Sequence, residues 1–100
     1  MDRVRVEVMS WLSRYLDTGR PSRVILEQDV GDGTTVRQLL EEIASDNQEF
    51  REVLFDATTG RLSGHIGLIL NGRFLELAGG LEAELKPGDV VRLMPGFSGG

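Results

Sequence analysis

The chain closes Met94-Pro95-Gly96-Phe97-Ser98-Gly99-Gly100, and elsewhere the residue types able to react are few: one histidine, His65, one lysine, Lys86, and no cysteine. Without cysteine there is no disulfide, thiolate metal site, sulfur nucleophile or side-chain persulfide. A single histidine allows no His-x-x-x-His pair for a metal, and its place after Gly64 and before an apolar run reads as a surface or edge residue. Gly31-Asp32-Gly33 and Gly79-Gly80 lack the Lys-Ser/Thr of a phosphate loop, and Glu41, Glu42, Glu49, Glu82 and Glu84 read as solvated surface. What remains is the terminus. Two glycines ahead of a bare α-carboxylate can enter a channel too narrow for side chains and can adopt backbone angles closed to other residues. A carboxylate is a poor electrophile until it is activated, as ATP does by forming an acyl-adenylate. Because the chain has neither phosphate loop nor nucleophile, the activating enzyme has to be another protein. The chain reads as a carrier and not as an enzyme, with no cofactor of its own.

The elements that would position such a terminus are legible in the apolar periodicity. Arg3 to Val8 alternates strictly, with Val4, Val6 and Val8 on one face and Arg3, Arg5 and Glu7 on the other, the pattern of a half-buried strand. Trp11, Leu12, Tyr15 and Leu16 stand at helical spacing, Trp11 read as core or half-buried packing over an interface anchor, before Thr18 to Ser22 breaks the chain. A second strand is predicted over Arg23 to Gln28. Thr35-Val36-Arg37-Gln38 is a capping box, and Val36, Leu39, Leu40 and Ile43 form the apolar stripe of the main helix, with Arg37, Glu41 and Glu42 on the wet side. A further helical turn carries Phe50, Val53 and Leu54. Ile66 to Leu70 is a strand, Asn71-Gly72 a hairpin turn, and Arg73 to Glu76 begins the return. Leu77, Leu81 and Leu85 are offered to the core. Lys86-Pro87-Gly88-Asp89 then turns into a last strand, Val90 to Met94, whose phase points Val91 and Leu93 inward.

Two strands, a helix and more strands predict an α+β fold, a β-grasp in which one main helix crosses one face of a mixed sheet and the first and last strands lie parallel at its centre. One hundred residues make one domain, residues 1–95, followed by a flexible tail, 96–100. With 40% hydrophobic and 27% charged residues the composition is that of an ordinary globular chain. No apolar run is long enough to span a bilayer and no signal-peptide core follows Met1, so a cytoplasmic protein with no membrane partner is expected. A net charge of -5 with no basic cluster makes nucleic acid a poor partner.

The alternating first strand, "GDGTTVRQLLEEI", "LILNGRFLELAGGLEAELKPGDVVRLMP" and the closing "SGG" together resemble the MoaD/ThiS group of ubiquitin-like β-grasp sulfur carriers, most closely the small subunit of molybdopterin synthase and its relatives. The Asn-Gly hairpin, the Leu85 to Asp89 turn, Pro95 and Gly99-Gly100 carry the resemblance by their order and spacing. It implies that Gly100 is adenylated by an ATP-dependent enzyme like those that activate ubiquitin and is then converted to a thiocarboxylate by a sulfurtransferase or other persulfide donor. That sulfur is delivered in biosynthesis, with molybdopterin synthesis favoured and the large subunit of the synthase, or another sulfur-accepting enzyme, as partner. Gly99 serves as permissive neighbour, and Arg92, Met94, Gly96, Phe97 and Ser98 as the docking residues. Gly96-Phe97 departs from the family's usual Pro followed by a small aliphatic, and Trp11 is not typical of the family. The same tail serves a ubiquitin-like modifier joined to target lysines, or a carrier for cysteine, thiazole, thionucleoside or secondary-metabolite pathways.

Overall fold

The computed structural model describes residues 2–9, 23–45 and 47–96. Strands β1 (Asp2–Met9) and β2 (Arg23–Val30) pair antiparallel, α1 (Val36–Ile43) and α2 (Gln48–Leu54) follow, and β3 (Ile66–Leu70), β4 (Arg73–Phe74) and β5 (Val90–Pro95) complete the sheet. The strand order is β2-β1-β5-β3-β4, with β1 and β5 parallel at the centre and the other pairs antiparallel. This is the β-grasp that the element order predicts.

One face of the sheet is closed. Val4, Val6 and Val8 of β1, Val91 and Leu93 of β5, and Ile66, Leu68 and Leu70 of β3 are buried together with Val36, Leu39 and Leu40 of α1 and Phe50 and Leu54 of α2. Each such aliphatic side chain fully removed from water contributes roughly 1.5–3 kcal/mol before entropy is counted. The main helix starts where the capping box places it: the Gln38 N–H donates to Thr35 Oγ1 at 3.2 Å, and the Thr35 N–H to Gln38 Oε1 at 3.0 Å. In α2, Asn47 Oδ1 accepts from the Phe50 N–H at 2.9 Å and so starts a second helix after the break.

Four features depart from the sequence reading. β2 runs two residues past Gln28, because pairing with β1 continues to Asp2–Val30. The return strand stops at Phe74 and becomes a 3₁₀ turn, Leu75–Leu77, in which Leu75 is buried while Leu77, two positions on and turned to the opposite side, is 71% exposed. Of the three leucines offered to the core, only Leu85 is buried and Leu81 partly so. Glu7, placed on the wet face, is 7% exposed, because its cross-strand neighbour Arg92 lies over it. Trp11, Leu12, Tyr15 and Leu16 lie outside the described residues.

Candidate functional site

The expected working end of the molecule is the C-terminal end of β5. Its neighbours there are set by register: Leu93 faces Leu68, Met94 faces Gly67 and Pro95 faces Ile66. The ladder goes one step further, since the Gly96 N–H donates to the His65 carbonyl at 2.7 Å. The loop before β3 is itself held, with the His65 N–H donating to Ser63 Oγ at 3.2 Å and the Ile66 N–H to the Ser63 carbonyl at 3.0 Å. Gly96 and His65 are thereby fixed on the sheet's end, and His65 is exposed, as the sequence suggests. Phe97, Ser98, Gly99 and Gly100 lie outside the described residues.

Strand alternation puts the odd partners of the buried set on the open face of the sheet. There the register lines up Ile25, Glu7, Arg92, Ile69 and Phe74 across all five strands. Ile25 is 45% and Phe74 58% exposed, so the row is apolar at its ends and charged in the middle. Its charge is internally matched: Arg92 Nε donates to Glu7 Oε1 at 3.2 Å. Arg92 and Met94, both named from the sequence as docking residues, point to this face together with Gly96. A groove of about 510 Å³ runs beside them, lined by Leu62, Ile66, Ile69, Phe74, Met94 and Gly96 among others. It opens directly onto the last described residue. Phe74, Ile69 and Leu62 escaped the sequence reading as site residues; the period-2 phase of β3 could have supplied Ile69.

The opposite end of the open face is more polar. Arg3 Nε donates to Asp29 at 3.1 Å and Arg3 Nη1 to Glu27 at 3.2 Å. Asp29 first and Glu27 second raise the Arg3 pKa through these hydrogen bonds, with no consequence near neutrality because a guanidinium is charged there in any case. Two further depressions, of about 460 and 690 Å³, share Arg37 in their walls. That arginine is half-buried and structural, donating to Glu82 Oε2 and to the Gly60 carbonyl, both at 2.7 Å. Neither depression is lined by a histidine, lysine or cysteine. Among the described residues no group of three His, Cys, Asp or Glu side chains converges on a point where a metal could sit.

A last strand running parallel to the first at the centre of the sheet, beneath a capped helix, defines the class as ubiquitin-like β-grasp proteins. Within that class the ThiS family model matches residues 19–100, and the chain belongs to the ThiS family, within the ThiS/MoaD group of ubiquitin-like sulfur carriers. No curated protein sequence matches it. Solved structures do. A molybdopterin converting factor subunit 1 from Pyrococcus furiosus is 24% identical with a TM-score of 0.71, covering 97% of this chain and 100% of that one. The small archaeal modifier protein 1 of Methanosarcina acetivorans is 23% identical with a TM-score of 0.72, over 100% and 98% of the two chains. A chain of the Amycolatopsis orientalis BexX/CysO complex is 26% identical with a TM-score of 0.65, over 95% and 99%. At these identities the first two likenesses show the fold. Among the described residues no helix is long and apolar enough to cross a membrane.

Proposed function

We propose that this chain is a sulfur carrier, not an enzyme, and that the α-carboxylate of Gly100 is its working group. A carboxylate oxygen attacks the α-phosphorus of ATP on an activating enzyme, expelling pyrophosphate and leaving the acyl-adenylate. Sulfur then attacks the acyl carbon and AMP departs, giving the thiocarboxylate. Where the sulfur arrives as a persulfide, the acyl disulfide first formed needs a thiol to reduce it and free the carrier. The thiocarboxylate gives its sulfur to a biosynthetic acceptor in molybdopterin synthesis, with the large subunit of that synthase, or another sulfur-accepting enzyme, as partner. The observation that carries the reading is that the family match runs through the closing glycines to residue 100. The likeness to a molybdopterin converting factor subunit supports the pathway. A relative solved as a complex with a second protein supports a protein partner.

Docking falls to the open face beside the groove. Arg92, Met94 and Gly96 lead toward Phe97 and Ser98, and Phe74 and Ile69 offer the apolar area that an activating enzyme or synthase subunit needs for a buried centre. The fold up to Gly96 acts as a handle, and residues 97–100 are the segment presented, with Gly99 the permissive neighbour.

A second reading has one observation in its favour, the likeness to a small archaeal modifier protein: Gly100 joined to target lysines. Intact mass separates the two. Protein from the native host, or protein incubated with ATP, an activating enzyme and sulfide, should gain the mass of one oxygen replaced by sulfur at Gly100. Isopeptide adducts on other proteins, with no thiocarboxylate formed, would overturn the carrier reading in favour of the modifier.

A further inference from the structure

Three facts meet at Gly96. Its N–H is held by the His65 carbonyl at 2.7 Å, one step beyond the Ile66–Pro95 pair. A Cβ built on it would lie 3.0 Å from the Ile66 carbonyl carbon, 3.1 Å from the Gly67 nitrogen and 3.2 Å from the Ile66 nitrogen, all backbone atoms that no rotamer change can move. On β3 the close neighbour is again a glycine: the Cβ that Gly67 lacks would stand 3.7 Å from the Gly96 Cα and 3.4 Å from Met94 Cγ. Torsional freedom is not what requires the glycine, since Gly96 is not among the glycines with positive φ. Room is what requires it. The side-chain-free position at Gly96 lets the backbones of β3 and β5 close on each other where the described chain ends, whereas a Cβ at Gly67 would make only ordinary contacts.

We propose that Gly96 is a positioning residue: it seats the root of the tail against Ile66 and Gly67, so that the reach of the terminal carboxylate into a partner's reaction centre is measured from a fixed point. This rests on the reading of Gly100 as the activated group. Beyond Gly96 come Phe97, Ser98, Gly99 and Gly100. Four residues span at most about 13–14 Å, and one residue of slack changes the reach by roughly 3.3 Å. A misplacement of about 1 Å at the reaction centre can cost on the order of a hundredfold in rate, so a root that slips along β3 even part of the time lowers the rate. Gly96 makes and breaks no bond in the reaction. It sets where the chain starts.

The test uses the full chain and the ubiquitin-activating-type enzyme of the same host, with adenylation followed as ATP–pyrophosphate exchange. Gly96→Ala should speed amide exchange at position 96 by about tenfold while the amides of Leu68 and Leu93 keep their protection. Its KM should stay within about twofold, because the side chains of the docking face, Arg92, Met94, Ile69 and Phe74, are unchanged and Gly96 offers that face no side chain, while kcat falls about tenfold. One glycine inserted between Gly96 and Phe97 should lower kcat similarly, and deleting Ser98 in that background should restore it to within about twofold. A purely structural glycine would not give that rescue. Wild-type kcat in both Gly96→Ala and the insertion overturns the positioning role alone. A wild-type chain that supports no more exchange than one lacking Gly100 overturns the carrier reading, and the positioning role with it.

Discussion

The two ends of β5 are held in opposite ways. At its start, side chains do the holding. Asn71 Nδ2 donates to Asp89 Oδ1 at 2.9 Å, Asn71 Oδ1 accepts from the Val90 N–H at 2.8 Å, and Asp89 Oδ2 accepts from the Lys86 N–H at 2.8 Å. Backbone bonds tie the same turn to β1, from the Gly88 N–H to the Arg3 carbonyl at 2.8 Å and from the Arg5 N–H to the Asp89 carbonyl at 3.0 Å. At its end one backbone bond and the close approach that the missing side chain of Gly96 allows do the holding. The first device resists displacement because several polar groups would lose their partners together. The second allows close approach with little to resist peeling. The fixed point proposed for the root of the tail therefore rests on one bond and one close approach, where the turn end rests on several bonds together.

The largest expected effect comes from the stretch both ends share. Leu93 is fully buried between its β1 and β3 neighbours, and Leu93→Ala should cost about 2–5 kcal/mol, enough to loosen both ends at once. Urea unfolding gives the value, and a loss below about 1 kcal/mol would mean that the two ends are not joined through a packed core. Next is Asp89→Ala, which leaves the Lys86 N–H and the Asn71 amide without their acceptor. It should cost about 2 kcal/mol, lowering the melting temperature by roughly 8–16 °C. Amide protection at Gly96 should stay unchanged relative to the global stability. If protection at Gly96 is lost selectively, the ends are coupled and the contrast fails.

How much of this contrast the sequence shows depends on the kind of force. The polar end is written locally: Asn71-Gly72 and Gly88-Asp89 are turn signals that need no partner to be read, and the structure takes Asn71 to φ 52° and Gly72 to φ 84°, as a two-residue hairpin turn requires. Val4, Val6 and Val8, the Thr35–Gln38 box and the inward phase of Val91 and Leu93 are legible for the same reason, since period and capping are local. That Asn71 and Asp89 bond to each other is not local, although both motifs are visible. Glu7 and Leu77 mislead because alternation assigns a face but cannot see a neighbour lying across it, as Arg92 does, or a strand giving way to a 3₁₀ turn after Phe74. Gly96 is the extreme case. Its need for glycine comes from the approach of Ile66 and Gly67, about thirty residues earlier in the chain, and nothing in Pro95-Gly96-Phe97 hints at it.

Between the two ends sits the Glu7–Arg92 pair, and it offers a smaller, signed test. The Glu7 side chain is 10% exposed and that of Arg92 44%, so removing the arginine leaves a nearly buried carboxylate without its cation, whereas removing the glutamate leaves an arginine that water can reach. Arg92→Met should therefore destabilise by about 1–2 kcal/mol and Glu7→Met by less, with the double variant close to the wild type. Chemical denaturation of the three variants checks the order. Equal single costs would show that the pair is solvated on both sides and that the centre of the open face is wetter than its packing suggests.

The smallest stability effect belongs to Gly96. Because the clash of an added Cβ falls on the last step of the β3–β5 ladder, the strand can relieve it by giving up a single hydrogen bond and lifting away from Ile66. Gly96→Ala should therefore cost no more than about 1 kcal/mol globally, within the usual worth of one backbone bond, even though the contact distances are the tightest found at any described glycine. The same substitution at Gly67 should be milder still, since its nearest neighbour is Met94 Cγ at 3.4 Å, the end of a flexible side chain that can turn aside. Melting curves of the two variants side by side are the check. A loss at Gly96 as large as that of Asp89→Ala would make the tail end as firmly built as the turn end, and would mean that a partner taking the tail must work against the fold.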